Sequence, residues 1–70
     1  MRVGQVVRLA NMLRLRRFIE YDKAKALSHL LGMQPDTAEV NFETFESLGW
    51  LTIHRKHGKP DVLEEHIPLL

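Results

Sequence analysis

Three stretches of the chain carry apolar side chains at the three- and four-residue spacing that places them on one face of an α-helix. The apolar faces are Val3, Val6, Ala10 and Leu13 in the first stretch, Ala24, Leu27, Leu30 and Leu31 in the second, and Ala38, Phe42, Phe45 and Leu48 in the third. This pattern predicts helices over residues of about 3–17, 23–31 and 35–48.

Residues with special backbone preferences mark the ends of these helices. Asp22 suits the N-cap of the second helix because its carboxylate can accept from free backbone N–H groups. Pro35 suits the first position of the third, where a missing N–H costs nothing. Gly32 and Gly49 suit the two C-terminal ends, because glycine tolerates a left-handed backbone. The aromatic and β-branched run 18–21 predicts a short extended segment.

The C-terminal third reads as a hairpin followed by an apolar tail. Residues 50–54 predict a strand, the polar run 55–60 contains Gly and Pro and predicts a turn, and residues 61–66 predict the return strand. We expect Trp50 to pack over the helices at the start of this ribbon. The predicted class is therefore α+β and mostly helical.

The residues around the second and third helices resemble those of the winged-helix family. The resemblance lies in the run Leu31-Gly32-Met33-Gln34-Pro35-Asp36-Thr37-Ala38, followed by Phe42, Phe45-Glu46 and Leu48-Gly49-Trp50-Leu51. It implies a single three-helix winged helix-turn-helix domain over residues 1–70, with a C-terminal two-strand wing at about 50–66. In that family the third helix often enters the DNA major groove and the wing touches the adjacent backbone, although some members bind proteins instead.

Small accessory proteins of bacterial ferrous-iron transport show a similar helix-turn-helix pattern. They typically carry a Cys cluster in the wing, whereas this chain has no cysteine. The same absence excludes disulfides and thiolate metal sites. A length of 70 residues with 44% hydrophobic residues allows one small core and little room for an enclosed pocket.

The formal net charge of +1 conceals a strong segregation along the chain. Residues 1–25 contain seven Lys or Arg and two Asp or Glu, a net charge of +5. Residues 26–54 contain four acids and no Lys or Arg, a net charge of −4. The remaining cations lie at the predicted wing tip, where a basic loop is a reasonable phosphate contact.

This distribution leaves two interpretations open. In the first, the protein is a small transcriptional regulator that binds double-stranded DNA through basic side chains of the wing and helix one. The candidate contacts are Arg14, Arg16, Arg17, Lys23, Lys25, Arg55, Lys56 and Lys59. In the second, it is a protein-interaction module without DNA affinity, because the outward face of helix three is acidic and repels phosphates. That face comprises Asp36, Glu39, Val40, Glu43 and Thr44.

Other chemistry finds less support in the sequence. His54, His57 and His66 surround the predicted wing and could together bind a metal, but we expect surface histidines and no metal or cofactor. No nucleophile–base pair or phosphate-binding loop is present, so we do not expect an enzyme. The chain lacks a signal-peptide pattern and a membrane-length apolar run, which predicts a cytoplasmic protein without membrane contact.

Apolar residues outside the predicted core suggest a second subunit. Helix one is apolar on two sides, and the chain ends in an apolar tail that contains Pro68. The candidates for a homodimer interface are Met12, Leu15, Ile67, Leu69 and Leu70. Alternatively, the tail folds back onto helix one within the same chain.

Overall fold

Three helices and three short strands make up residues 3–69, the part of the chain that the computed structural model describes. The helices are α1 (Val3–Arg16), α2 (Tyr21–Leu30) and α3 (Pro35–Ser47). The strands are β1 (Phe18–Glu20), β2 (Leu51–His54) and β3 (Val62–Glu65). The prediction of an α+β class with three helices, a short early strand and a C-terminal hairpin is confirmed.

The hairpin pairs with β1 to form a three-stranded antiparallel sheet, a pairing that the predicted two-strand wing does not include. The return strand β3 lies at the centre, with Leu63 opposite Ile19 of β1 on one side and Ile53 of β2 on the other. Arg17 sits between α1 and β1 with a positive φ of 61°, and its carbonyl accepts from the Glu65 N–H at 2.9 Å. This pairing joins segments far apart in sequence, so local patterns did not reveal it.

Both predicted glycine stops form helix-ending hydrogen-bond pairs. After α2, the Gly32 and Met33 N–H groups donate to the last-turn carbonyls of α2 at 2.9 and 3.0 Å, and Gly32 has a φ of 86°. Gly49 and Trp50 repeat this arrangement after α3, at 3.0 and 2.8 Å, with a Gly49 φ of 78°. These bonds satisfy carbonyls that a helix end otherwise leaves free.

The predicted start of α2 is wrong by two residues. The helix begins at Tyr21, so that Glu20 is the N-cap residue and Asp22 lies inside the first turn. The Tyr21 N–H donates to the Asp61 carbonyl at 2.8 Å. An acceptor from the hairpin therefore satisfies the first N–H group of α2, which has no partner within the helix.

The core lies between the helices and the inner face of the sheet. Its largest fully buried side chains include Phe42, Leu9, Leu13 and Leu63. Trp50 is half-buried, with its ring centroid 5.4 Å from that of Phe45, which confirms its predicted packing.

Three of the predicted core positions face solvent instead. Val3, Leu30 and Leu48 are 80%, 79% and 56% exposed, respectively. On α1 the buried face includes Met12, which is only 8% exposed and is therefore not available to a second subunit. Which face of each helix is buried depends on where the sheet and the neighbouring helices lie, and helical spacing alone does not specify that.

The C-terminal tail folds back onto α1 within the same chain as far as it is described. Ile67 packs against the core, and the Pro68 carbonyl accepts from Arg14 Nη2 at 3.1 Å. Leu15 and Leu69 remain 84% and 89% exposed, whereas Leu70 lies outside the described residues. Among residues 3–69, no helix combines the length and the apolar character that crossing a membrane requires.

Candidate nucleic-acid interface

Two of the predicted DNA-contacting cations form ion pairs with α3. Lys25 Nζ lies 2.6 Å from Glu39 Oε1, and Arg55 Nη1 lies 3.1 Å from Glu46 Oε2. The hydrogen bond to Glu39 raises the pKa of Lys25, and the bond to Glu46 raises that of Arg55. These cations neutralise half of the acidic charge of α3, although no Lys or Arg lies near those acids in sequence.

The Lys25–Glu39 ion pair lies beside Tyr21. The Tyr21 ring meets Phe42 edge to face at a centroid distance of 5.3 Å, and Lys25 Nζ lies 5.9 Å from its centroid. Partial burial and the charge of Glu39 raise the pKa of the Tyr21 phenol. The α2–α3 contact therefore combines an aromatic pair with one ion pair, Lys25–Glu39.

The outward face of α3 keeps two acids without an ion pair among residues 3–69, Asp36 and Glu43. Both are exposed, as are Val40 and Thr44 between and beside them. The Thr44 hydroxyl donates to the Val40 carbonyl at 2.9 Å, so its proton is already used within the helix. This face offers negative charge and apolar surface to a partner.

The hairpin tip carries free positive charge. Lys56 and Lys59 are exposed, and neither forms an ion pair within residues 3–69. The tip is closed by a bond from the Lys59 N–H to the Lys56 carbonyl at 3.1 Å, with Gly58 at a φ of 75°. The turn therefore holds both ammonium groups on one short loop.

An aromatic side chain lies beside this tip on the outer face of the sheet. Phe18 is 54% exposed because strand alternation sends Ile19 into the core and Phe18 to the opposite face. The Arg17 guanidinium lies 5.8 Å from the Phe18 ring centroid. We call Arg17, Phe18, Lys56 and Lys59 the outer sheet patch.

A groove of about 370 Å³ joins three members of this patch, Phe18, Lys56 and Lys59, across the sheet. Its lining consists of Phe18, His54, Lys56, Lys59, Pro60 and Val62. Phe18 is a candidate functional residue that the sequence pattern did not indicate. The signal available was an aromatic residue next to Arg17 in a predicted strand, but its neighbours at the hairpin tip are about forty residues away in the chain.

The remaining predicted cations lie elsewhere. Arg14 donates to the tail at Pro68, and Arg16 Nη1 donates to the Met12 carbonyl at 3.4 Å, so both guanidinium groups bind the protein's own backbone. Lys23 is exposed near the start of α2. The structure thus divides the predicted cations among α1, the start of α2, the α3 ion pairs and the outer sheet patch.

Two of the three histidines around the hairpin bind neighbouring side chains. His54 Nε2 lies 2.9 Å from Glu64 Oε1, and this hydrogen bond lowers the pKa of Glu64. His66 Nε2 lies 2.9 Å from Thr52 Oγ1. In the described part of the chain, no three His, Asp or Glu side chains are grouped to hold a metal ion.

Comparisons with protein-family models, with curated proteins and with solved structures gave no match to this chain.

Proposed function

We propose that this chain is a small winged-helix DNA-binding protein that regulates transcription and contacts duplex DNA through its hairpin. The observation that carries the proposal is the pair of exposed cations at the hairpin tip, Lys56 and Lys59, which form no ion pair within residues 3–69. Phosphate neutralisation supplies most of the affinity of such proteins for DNA.

The arrangement of elements is consistent with a winged helix. A short turn with Gly32 at positive φ connects α2 and α3, as in many helix-turn-helix motifs, and an antiparallel hairpin follows. The strand β1 between α1 and α2 completes the sheet. This layout supports the family resemblance in the sequence.

The charges of α3 argue against the usual docking of its outward face in the major groove. Asp36 and Glu43 would face phosphates without a neighbouring cation, and the Thr44 hydroxyl already donates to its own helix. Lys25 and Arg55 would have to break their ion pairs to reach DNA. The wing is therefore the principal DNA-contacting element in this proposal, supported by Arg17.

Fluorescence anisotropy with a labelled blunt duplex at low salt tests the proposal. We expect the wild type to bind, and Lys56→Ala and Lys59→Ala each to weaken binding severalfold. Arg8→Ala is the matched control, because it removes one exposed cation outside the outer sheet patch and should change affinity little. Absence of duplex binding by the wild type, or equal losses in all three variants, would contradict the proposal.

A protein-interaction module is the second candidate, and the exposed face of α3 favours it. Val40 is 57% exposed between the free carboxylates Asp36 and Glu43, a combination suited to a basic, amphipathic partner. A labelled helical Lys/Leu peptide is a suitable probe. Peptide binding that Glu43→Lys abolishes and Lys56→Ala preserves, together with no duplex binding, would support this candidate over DNA binding.

A further inference from the structure

The outer sheet patch combines two kinds of contact that a duplex backbone does not need together. Ammonium groups at Lys56 and Lys59 suit phosphates, whereas a half-exposed phenyl ring suits a flat apolar surface. Both line the same groove, whose volume of about 370 Å³ lies within the roughly 300–1,000 Å³ range of small-ligand sites. A single exposed Phe is ordinary, but one that forms the wall of a cationic groove is a specific combination.

We infer that this groove takes one unpaired nucleobase, stacked on Phe18, while Lys56 and Lys59 contact the flanking phosphates. The inference rests on the proposed function and names its substrate class, a duplex that adjoins an unpaired base. Proteins that bind single strands combine these two elements, a positive groove along the backbone and an aromatic ring beneath the base.

The cations of the groove lie on its tip loop, and two carboxylates lie on the same face of the sheet. No carboxylate lines the groove among the described residues. Glu64 is hydrogen-bonded to His54 at 2.9 Å, whereas Glu20 is exposed opposite Val62, at the end of β1 nearest the tip. The phosphates are expected at Lys56 and Lys59, because these two are the cations of the groove lining.

Arg17 lies next to the Phe18 ring and contributes to its orientation. Its guanidinium lies 5.8 Å from the Phe18 centroid, within cation–π range, and still leaves 54% of the residue exposed. The register places Phe18 opposite Glu64 on a paired strand, so the ring stands on a fixed backbone. A ring held in this way loses little freedom when a base stacks on it.

Three fluorescein-labelled probes separate the contributions of base and phosphate. They are a blunt duplex, the same duplex with a short single-stranded overhang, and the same duplex with an abasic overhang of equal length. The last two carry the same phosphates and differ only in the bases. We expect the wild type to bind the overhang with bases about 10-fold more tightly than the abasic one, within the roughly 5- to 150-fold range for one stacked base.

Phe18→Ala should lower the affinity for the overhang with bases to that for the abasic overhang, whereas Phe18→Trp should retain the difference. Leu30→Ala is the control, because it truncates an exposed apolar side chain outside the groove. Since Phe18 lies on the exposed face, Phe18→Ala is expected to fold, which thermal melting by circular dichroism checks. If the melting temperature of Phe18→Ala falls, the test is whether Phe18→Trp prefers the overhang with bases to the abasic overhang, and absence of that preference overturns the base site.

The outcomes distinguish the two proposals. The base site is overturned if the wild type binds the overhang with bases and the abasic overhang equally tightly, or if Phe18→Ala still prefers the overhang with bases. In either case, blunt-duplex binding still supports the proposed function. Binding to none of the three probes overturns both proposals. Polyglutamate that binds as tightly as the overhang, and loses affinity in Phe18→Ala, overturns the base site in favour of an acidic peptide.

Discussion

The salt dependence of DNA binding shows how many cations contact phosphates. It therefore distinguishes contacts by the three cations of the outer sheet patch from contacts by all eight cations that the sequence predicts. Each phosphate contact on B-DNA contributes about 0.9 to the slope of log affinity against log salt. Contacts by Arg17, Lys56 and Lys59 predict a slope of about −2.7, so affinity falls about 40-fold between about 50 and about 200 mM salt. If all eight cations predicted from the sequence contacted phosphates, the same change would reduce affinity roughly 20,000-fold.

Anisotropy titrations of a blunt duplex at several salt concentrations measure this slope directly. In Lys56→Ala/Lys59→Ala only Arg17 remains, so we expect affinity to fall only about 3.5-fold over that salt range. A wild-type decrease above roughly 1,000-fold requires six or more contacts and would refute the restriction to the outer sheet patch. An unchanged slope in the double variant would refute the placement of DNA on the hairpin.

Three further predictions concern the fold. Leu63→Ala should lower the unfolding free energy by about 3–5 kcal/mol, because Leu63 is fully buried in the central strand. Leu30→Ala should lower it by less than about 0.5 kcal/mol, because Leu30 is exposed. Urea unfolding followed by Trp fluorescence measures both values. Gly49→Ala should cost about 1–2 kcal/mol in the same assay, because its φ of 78° is strained for a residue with a Cβ. The lowered pKa of Glu64 means that its ionised form stabilises the fold above the unfolded-state pKa, and this stabilisation is lost as pH falls through the folded-state pKa. In His54→Ala the unfolding free energy should fall less at acidic pH, and the Glu64 pKa should rise in a carboxyl NMR titration. An unchanged Glu64 pKa would contradict the conclusion that the bond to His54 lowers it.

The sequence predicted the local elements well because their signals are local. The glycines at 32 and 49 end two helices, since only a residue without a Cβ adopts positive φ there at no cost. Pro35 starts α3, and the short strand at residues 18–20 and the hairpin also form where the pattern predicted them. The distribution of charge along the chain likewise followed directly from residue order.

The tertiary structure decided which of those features meet. Lys25 and Arg55 lie outside the acidic stretch of sequence that contains Glu39 and Glu46. Folding nevertheless brings Lys25 to 2.6 Å from Glu39 and Arg55 to 3.1 Å from Glu46. The same folding joins β1 to β3 and so places Phe18 beside the hairpin tip. Sequence alone therefore determined the elements and the total charge of each block. Only the packing of distant segments determined which charges are neutralised and which remain exposed, because ion pairing depends on separation in space rather than along the chain.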